Sequence, residues 1–512
     1  MEPASEMPYA ELAFQRLEIV TGPAKHQTLL TGFLTNRSFA DLAVISIHES
    51  GERQLAVHSL LDSGWERVID VPLSREVLFV DVAQIAGRDR LLTYENGRLK
   101  WFDPDDGVHR VLVDVALDFS ATRGRAIAHV DITEDLNGDG LDDVVVPSRR
   151  GFWISLQSSD GAFAAPALLG PTEPFLDAVA LDDQVRYREV GLTPTTIPWY
   201  LSRVYRVDWN HDGRTDLVFW NKDHFDVHLQ DEEGAFDSTA LTAMTAVPFD
   251  ADGDYTLTFG YQGENMARLV FGLRKRSTQV VLSALRDMND DGIADLVTHS
   301  LAGRSVMRQR STYQVHFGSQ ATDGTRFPAT ADAAFRTKGK SGALQASEYG
   351  VRRWEDVDGD NQVDLLLLDA HTTVPNAISA LVRQSVTMDF ECHRMRDRGF
   401  PETLSTQRGI QVDFDAQDDE DGMFFAVILV GDVTGDGRSD LLVGPHREEL
   451  HIYRGVPEPH VFALHPQVLA VAMPNTETLT WLADFNGDAM QDILMHHPSA
   501  TGDHRVTLLI PR

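Results

Sequence analysis

The chain has 512 residues, of which 42% are hydrophobic, and its formal net charge at pH 7 is −33. This length exceeds what one compact hydrophobic core supports, so several domains or one large repeat ring are expected. The acidic charge excludes nucleic acid and anionic membranes as partners, because few basic side chains would be free to neutralise phosphates.

The N-terminal residues predict a strand rather than a targeting sequence. Residues 1–20 are acidic and lack the basic start and apolar stretch of a signal peptide. No later run has the length of a transmembrane helix, so membrane insertion through such a helix is not expected. The stretch Glu11–Val20 is strand-like, and we expect it to be the outer strand of the last sheet.

Two eroded copies of a nine-residue pattern come next. Phe33–Asp41 keeps only the final Asp, whereas Asp81–Asp89 keeps both terminal Asp residues but has Ala83 and Ile85 at positions 3 and 5. Neither copy is expected to bind metal. Both keep the strand–loop–strand rhythm of the copies that follow.

Six intact copies follow, with Asp at positions 1, 5 and 9, Asp, Asn or Thr at position 3, and a turn residue at position 6 in most copies. They occupy residues 135–143, 208–216, 287–295, 356–364, 432–440 and 484–492. A single Asp-Gly turn has little meaning, but six copies in register, each followed by an aliphatic run, indicate a shared role. The aliphatic flanks predict buried strands, so each loop joins two strands of a hairpin.

The loop chemistry predicts about six Ca²⁺ sites. Oxygen side chains at positions 1, 3, 5 and 9, with the backbone carbonyl of position 7, form a cage that suits a hard cation. The expected ligands are Asp135, Asn137, Asp139, Leu141 and Asp143; Asp208, Asn210, Asp212, Arg214 and Asp216; Asp287, Asn289, Asp291, Ile293 and Asp295; Asp356, Asp358, Asp360, Gln362 and Asp364; Asp432, Thr434, Asp436, Arg438 and Asp440; and Asp484, Asn486, Asp488, Met490 and Asp492.

Some positions depart from the pattern. Position 6 needs a residue that tolerates positive φ, and it is Gly in four copies, Asn361 in the fourth and Ala489 in the last. Ala489 is the clearest departure, and Thr434 at position 3 of the fifth copy should weaken that site. Position 12 lacks the bidentate Glu of an EF-hand, so these loops are not EF-hands. The expected role of the ions is structural, because all ligands of each loop are used to hold the ion and no coordination position is left open for a substrate.

The ninth-position Asp residues mark the repeat and predict the fold. The shorter spacings, 48 to 54 residues, suit a four-stranded propeller blade, and the longer ones imply insertions around Gly170–Tyr200, Thr322–Tyr349 and Ala370–Ser385. We expect an all-β chain with a single β-propeller domain, residues 1–512, of eight four-stranded antiparallel blades, or seven if the first eroded copy is not a blade. The approximate blades are 27–76, 77–122, 123–197, 198–278, 279–346, 347–424, 425–474, and 475–512 completed by 8–20.

The loop DLNGDGLDD at Asp135–Asp143, with the turn DGAFAAP at Asp160–Pro166, resembles the FG-GAP or VCBS repeat family. The resemblance covers about residues 8–512. It implies a calcium-binding propeller similar to the seven-bladed integrin α-subunit head, to fungal lectins and to an eight-bladed rhamnogalacturonan lyase. Because one architecture serves adhesins, lectins, lyases and scaffolds, the resemblance implies fold and calcium rather than activity.

The sequence favours binding over catalysis. It contains no GxSxG, HExxH or Walker motif. The chain has one cysteine, Cys392, so no internal disulfide can form. Because Cys392 directly precedes His393 on a predicted strand, the two side chains should lie on opposite faces of the sheet. A buried hydrophobic role is expected for Cys392, and a solvated or hydrogen-bonded role for the pair His496–His497.

The favoured function is a calcium-stabilised binding or scaffold protein that presents loops to a protein or glycan partner. One alternative is a polysaccharide lyase or other carbohydrate-active enzyme, and another is a structural subunit of a surface or secretion assembly. Millimolar free Ca²⁺ exists outside cells, which favours an extracellular, cell-surface or periplasmic location. With no signal peptide in the sequence, a cytoplasmic location stays open.

Overall fold

The computed structural model describes residues 11–35, 38–61, 64–117, 127–148, 150–172, 204–221, 223–249, 251–252, 278–302, 310–322, 324–336, 354–370, 385–401, 406–415, 424–457, 459–499 and 501–512. Over these residues the chain forms β-strands, turns and a three-residue 3-10 helix, Glu477–Leu479. No helix in this part of the chain is long and apolar enough to cross a bilayer.

The first strand, β1 (Phe14–Pro23), belongs to the last blade, and the chain then builds four blades in order. Blade 1 contains β2 (His26–Gly32), β3 (Asp41–Ile47), β4 (Arg53–Leu61) and β5 (Gly64–Leu73). Blade 2 contains β6 (Val77–Ile85), β7 (Arg88–Glu95), β8 (Arg98–Asp103), β9 (Val108–Asp114) and the short β10 (Ala128–His129). Blade 3 contains β11 (Thr133–Glu134), β12 (Asp143–Ser148), β13 (Gly151–Ser155) and β14 (Ala167–Leu169). Blade 4 contains β15 (Tyr205–Val207), β16 (Asp216–Asn221), β17 (His224–His228) and β18 (Leu241–Met244).

Four further blades complete the ring. Blade 5 contains β19 (Ala251–Asp252), β20 (Thr278–Arg286), β21 (Asp295–Ala302), β22 (Arg310–His316) and β25 (Ala333–Arg336), with a hairpin of β23 (Ser319–Ala321) and β24 (Gly324–Arg326) inserted. Blade 6 contains β26 (Trp354–Glu355), β27 (Asp364–Ala370), β28 (Ser385–His393), β29 (Thr406–Asp415) and β30 (Phe424–Phe425). Blade 7 contains β31 (Val427–Gly431), β32 (Asp440–His446), β33 (Glu449–Tyr453) and β34 (Gln467–Ala470). Blade 8 contains β35 (Thr480–Ala483), β36 (Asp492–His497) and β37 (Asp503–Pro511) together with β1.

The two ends of the chain meet in blade 8. Strand β1 pairs antiparallel with β37 from Phe14 opposite Pro511 to Pro23 opposite Asp503. The N-terminal strand therefore supplies the outer strand that the last blade lacks and leaves no open gap in the ring. This confirms the predicted all-β propeller of eight blades closed by the N-terminal strand. The seven-bladed alternative is wrong, because the first eroded copy forms blade 1.

The apolar core lies between the blades. Eight clusters of buried side chains occur in the described residues, and each is shared by two neighbouring blades around the ring. In β12, Val144 and Val146 pack toward blade 2, whereas Val145 packs toward blade 4. Both faces of such a strand are buried, which explains why aliphatic runs rather than alternating patterns follow the loops.

The eroded copy in blade 2 has lost its loop altogether. Strands β6 and β7 run on to Ile85 and Arg88, and the hairpin closes through Ala86 and Gly87, with φ of 50° and 72°. Two consecutive residues with positive φ are typical of the tight turn that joins twisted strands. Without ligand residues at positions 3 and 5, the segment pairs as strand instead of bulging outward.

Candidate metal centre

The six intact loops occupy one equivalent place, the first hairpin of blades 3 to 8. Each loop starts after the first strand of this hairpin, and the second strand of the hairpin begins on the ninth-position Asp. All thirty predicted ligand positions lie within the described residues. The structure brings the five positions of each loop into one turn, as local sequence spacing requires.

The carboxylates of positions 1 and 5 organise the loop backbone in the same way in every copy. The position-1 carboxylate accepts the N–H of position 6 at 2.7–2.9 Å, as Asp135 does from Gly140. The position-5 carboxylate accepts the N–H of position 7 at 2.9–3.0 Å, as Asp139 does from Leu141. These bonds curl the loop around its own acidic side chains, so the oxygens lie on the inside of the turn.

Position 9 does more than the sequence predicted. Its carboxylate is almost fully buried in all six loops and accepts the backbone N–H of position 2. In five loops it also accepts a backbone N–H from just beyond the third strand, for example that of Gln157 on Asp143. Position 9 is therefore a buried tie between the loop and the blade, in addition to its predicted place in the cage.

Burial shifts the acidity of these carboxylates. Desolvation raises the pKa of Asp143 to about 6; the backbone hydrogen bonds that it accepts oppose this rise, and repulsion from neighbouring Asp residues adds to it. The same causes raise the pKa values of Asp295 and Asp364 to about 7. A cation in the loop would oppose this shift, because it stabilises the ionised form.

The backbone conformation of the loops is uniform. Position 6 has positive φ in all six, from 66° at Asn361 to 86° at Gly213. Ala489, the expected departure, has φ of 68° and so adopts the same conformation as the others. Position 4 also has positive φ in every copy, including the non-glycine residues His211 and Asp290. Sequence reasoning missed position 4, although four of the six copies have Gly there.

Position 2, for which the sequence pattern specifies no residue type, is also constrained. Its side chain is apolar and at most 2% exposed in every loop. The signal was present in the sequence, since all six residues are large and apolar: Leu136, Trp209, Met288, Val357, Val433 and Phe485. This side chain anchors the loop in the core.

Unpaired buried oxygens test whether these residues fit a cation. Asn289 Oδ1, Asp358 Oδ1 and Asp492 Oδ1 are buried and have no hydrogen-bond partner. All three are predicted ligand atoms, at positions 3, 3 and 9. Asp356, Asp358 and Asp364 also offer oxygens that lie within 4.8 Å of one another. Buried oxygens without donors are expected where a bound ion is the missing partner, so the residues fit a hard cation.

Neighbouring loops are linked to each other. The N–H of Val363 donates to the carbonyl of Met288 at 2.8 Å, and the N–H of Ser439 donates to that of Val357 at 3.0 Å. The N–H of Gln491 donates to the carbonyl of Asp432 at 2.9 Å. Loops of blades 5 to 8 thus form a continuous chain of contacts around one face of the ring.

The eroded copies use their Asp residues for hydrogen bonds between protein groups. In blade 1, Asp41 accepts from the N–H of Thr35 and the hydroxyl of Ser59. In blade 2, Asp81 accepts the N–H of Ile132 at 2.8 Å and contacts His129 Nε2 at 3.0 Å. Asp41, at position 9, thus still ties its own loop, whereas Asp81, at position 1, holds the segment that runs from β10 to β11.

The remaining candidates have structural surroundings. Cys392 is fully buried and packs in the cluster between blades 6 and 7, and burial raises the pKa of its thiol. His393 instead lies against Phe335, with ring centroids 4.7 Å apart. His497 contacts Thr507 Oγ1 at 3.4 Å, as expected. His496 is 4% exposed, stacks on His504 and has no hydrogen-bond partner on Nε2.

Most of the predicted insertions lie outside the described residues. Of the three, the structure describes only Gly170–Thr172, Thr322, residues 324–336 with β24 and β25, and the ends at Ala370 and Ser385. The structure therefore does not test what these insertions do.

No family model and no curated protein matches the chain. Among solved structures, it is similar to an Agrocybe aegerita lectin that recognises non-reducing terminal N-acetylglucosamine, with 14% identity over 88% of this chain and 81% of that one, and a TM-score of 0.34. It is also similar to the V. cholerae biofilm matrix protein Bap1, with 10% identity over 96% and 88% of the two chains and a TM-score of 0.39. Likeness at this distance assigns no function, and the eight blades rest on the sheets described above.

Proposed function

We propose that this chain is a calcium-stabilised β-propeller that works as a binding or scaffold protein and presents its loops to a protein or glycan partner. The observation that carries the proposal is the uniform backbone conformation of six loops, each of which holds its acidic positions in one turn. It is supported by the unpaired buried oxygens of Asn289, Asp358 and Asp492.

Calcium suits the ligand set better than other common ions. The side-chain donors are carboxylate, amide and hydroxyl oxygens, with no nitrogen or sulfur ligand among them, which disfavours zinc and copper. Six to eight oxygens in a forgiving geometry are typical of Ca²⁺, whereas Mg²⁺ demands a near-ideal octahedron and retains waters. A location exposed to millimolar Ca²⁺ would keep such sites filled, so an exported location is part of the proposal.

A polar cleft at the loop face supports the binding role. It has a volume of about 440 Å³ and opens between the loops of blades 5 and 6. Its walls offer both donors and acceptors, from Asn289, Asp290, Asp360, Gln362, Asp397 and Arg398. The Arg398 guanidinium is fixed across the cleft by a 3.0 Å bond to the carbonyl of Asp290. Such a surface suits a hydroxyl-rich glycan or a polar protein loop.

Measurements of bound calcium, of melting temperature, of glycan binding and of lyase activity test the proposal. Elemental analysis of the purified protein should find about six calcium ions per chain, and EDTA should lower the melting temperature, with recovery on addition of CaCl₂ but not MgCl₂. An array of glycans probed in CaCl₂ and in EDTA should then show calcium-dependent binding. Protein without calcium and with an EDTA-independent melting temperature would contradict the metal proposal. Release of unsaturated sugars, followed by absorbance, would replace the binding role with a lyase activity.

A further inference from the structure

The fourth loop differs from the other five in the charge of its side-chain ligand positions. Position 3 is neutral elsewhere, as Asn137, Asn210, Asn289, Thr434 and Asn486, but it is Asp358 in blade 6. The fourth loop therefore holds four carboxylates, at positions 1, 3, 5 and 9, where the others hold three. An additional buried negative charge is costly unless a positive group compensates it.

Arg394 supplies that positive group. Its Nη2 forms an ion pair with Asp358 Oδ2, and the two side chains are only 9% and 7% exposed. Arg394 directly follows β28, and the N–H of the next residue, Met395, donates to Asp364 Oδ1 at 2.8 Å. One short segment thus contacts position 3 through a side chain and position 9 through the backbone.

The equivalent position in other blades shows that this arginine is not required by the fold. The residue just before the N–H that donates to the position-9 Asp is Leu156, Leu229 or Phe317 in blades 3 to 5. In blade 7 it is Arg454, and position 3 of that loop is the uncharged Thr434. The combination of an acidic position 3 with an arginine ion pair is particular to blade 6 among these five blades.

The two oxygens of Asp358 have different surroundings. Oδ2 contacts Arg394, whereas Oδ1 is buried without a hydrogen-bond partner and belongs to the group of Asp356, Asp358 and Asp364 oxygens within 4.8 Å. We propose that Arg394 is a built-in counter-ion that neutralises the extra carboxylate of the fourth loop, while Asp358 Oδ1 stays available to the cation. Counted over the side-chain ligand positions, the fourth loop together with Arg394 then carries the same charge as the ligand positions of each neighbour, and one of its carboxylates stays paired when calcium is removed. This inference rests on the proposed calcium function.

The proposal predicts opposite calcium responses for the two partners of the pair. In Arg394→Gln, four carboxylates lose their counter-ion, so the melting temperature in EDTA should fall below that of wild type by several degrees. Saturating CaCl₂ should restore most of the loss, because the ion neutralises the same charges. In Asp358→Asn, the Arg394 guanidinium loses its ion pair with Asp358, and calcium should not restore stability, because a cation in the loop repels the guanidinium.

The double variant Asp358→Asn/Arg394→Gln recreates the composition of the neighbouring loops. Its melting temperature in EDTA should lie above those of both single variants, so the cycle should show strong coupling. Arg75→Gln, which removes the same charge from an exposed turn, is the matched control and should change little.

Additive effects in the cycle, or an Arg394→Gln variant with the same stability as Arg75→Gln in EDTA, would overturn the counter-ion role. These outcomes are distinct from failure of the calcium proposal. If wild type bound no calcium, coupling in EDTA would still report the ion pair, whereas the selective rescue by CaCl₂ would be lost.

Discussion

Asp143 and Gln157 are joined by a 2.8 Å hydrogen bond in which the backbone N–H of Gln157 donates to Asp143 Oδ1. Asp143 begins the second strand of blade 3, and Gln157 lies just beyond the third. The other oxygen of Asp143 accepts the N–H of Leu136 at 3.0 Å. One buried carboxylate therefore joins the start of the loop, the second strand and the end of the third, and its counterparts do the same in blades 4 to 7.

Replacing this carboxylate should be costly even without calcium. Asp143→Ala leaves two buried backbone donors without acceptors, which corresponds to a loss of about 2–5 kcal/mol in the free energy of unfolding. Urea unfolding of the calcium-free protein measures it, with Asp105→Ala in an exposed turn as the control. Equal stabilities of the two variants in EDTA would mean that Asp143 matters only through the ion.

Two loop glycines with positive φ, Gly359 at position 4 of the fourth loop and Gly140 at position 6 of the first, provide a matched pair. Gly359 has φ of 76°, and an added Cβ would lie 2.5 Å from the carbonyl oxygen of Gly437 in the next loop. Gly140 has φ of 82°, but its Cβ would meet open space. Gly140→Ala should therefore cost about 1 kcal/mol from backbone strain alone. Gly359→Ala should cost clearly more, and similar melting temperatures would argue against tight contact between the loops of blades 6 and 7.

Ala489 offers a stabilising substitution. It holds a left-handed conformation, φ of 68°, that glycine adopts without steric cost. Ala489→Gly should therefore raise the free energy of unfolding by up to about 1 kcal/mol. This net gain is the backbone strain relieved in the folded state minus the stability lost because glycine is more flexible in the unfolded chain. Ala483→Gly, in strand β35, is the control and should lower stability by about 0.5–1 kcal/mol. Thermal unfolding of both variants in CaCl₂ measures the difference. A melting temperature of Ala489→Gly below that of wild type would contradict backbone strain at Ala489.

His496 should make blade 8 sensitive to acid. Burial, with smaller effects of His504 and His497, lowers the pKa of His496 to about 3. A histidine with a depressed folded-state pKa contributes stability above its unfolded value of about 6.5 and loses it as the pH falls toward 3, by about 1.4 kcal/mol per pH unit.

Melting temperatures between pH 7.5 and pH 4 test this sensitivity. His496→Leu should flatten the acid limb relative to wild type, whereas His460→Leu, at an exposed position, should not. Loop carboxylates with raised pKa values, such as Asp295, act in the opposite direction in both proteins, so the difference between variants isolates the histidine. An unchanged slope for His496→Leu would contradict the effect.

Deletion of the closing strand tests the ring. Removal of residues 1–23 takes away β1 (Phe14–Pro23), so β37 loses the strand that pairs with its outer edge. The melting temperature should fall by well over 10 °C, and the exposed edge should promote association visible by light scattering. Deletion of residues 1–10 alone, which keeps β1, is the control, and it should lower the melting temperature far less than deletion of residues 1–23. A truncated protein that stays monomeric with wild-type stability would contradict closure by β1.

The sequence could predict the blades because the position-9 Asp recurs with its aliphatic strand, and local spacing alone defines that unit. It could also predict the closing strand, since only two strands follow Asp492. The tie between Asp143 and Gln157 was not predictable from the pattern, because the donor is a backbone group that the side-chain sequence does not encode. Arg394 was missed for another reason: it lies 36 residues after Asp358 in the chain, and only the blade fold brings them together.

The pairing of β1 with β37 has a consequence for synthesis. At about 5–20 residues per second, the ribosome needs on the order of a minute to make the chain between these two strands. During that time the first strand has no sheet to join, and its apolar positions, such as Ile19, have no core to enter. The ring can close only when the last strand has emerged, so the nascent chain passes through a long stage with two unpaired edges that have to be kept from other proteins.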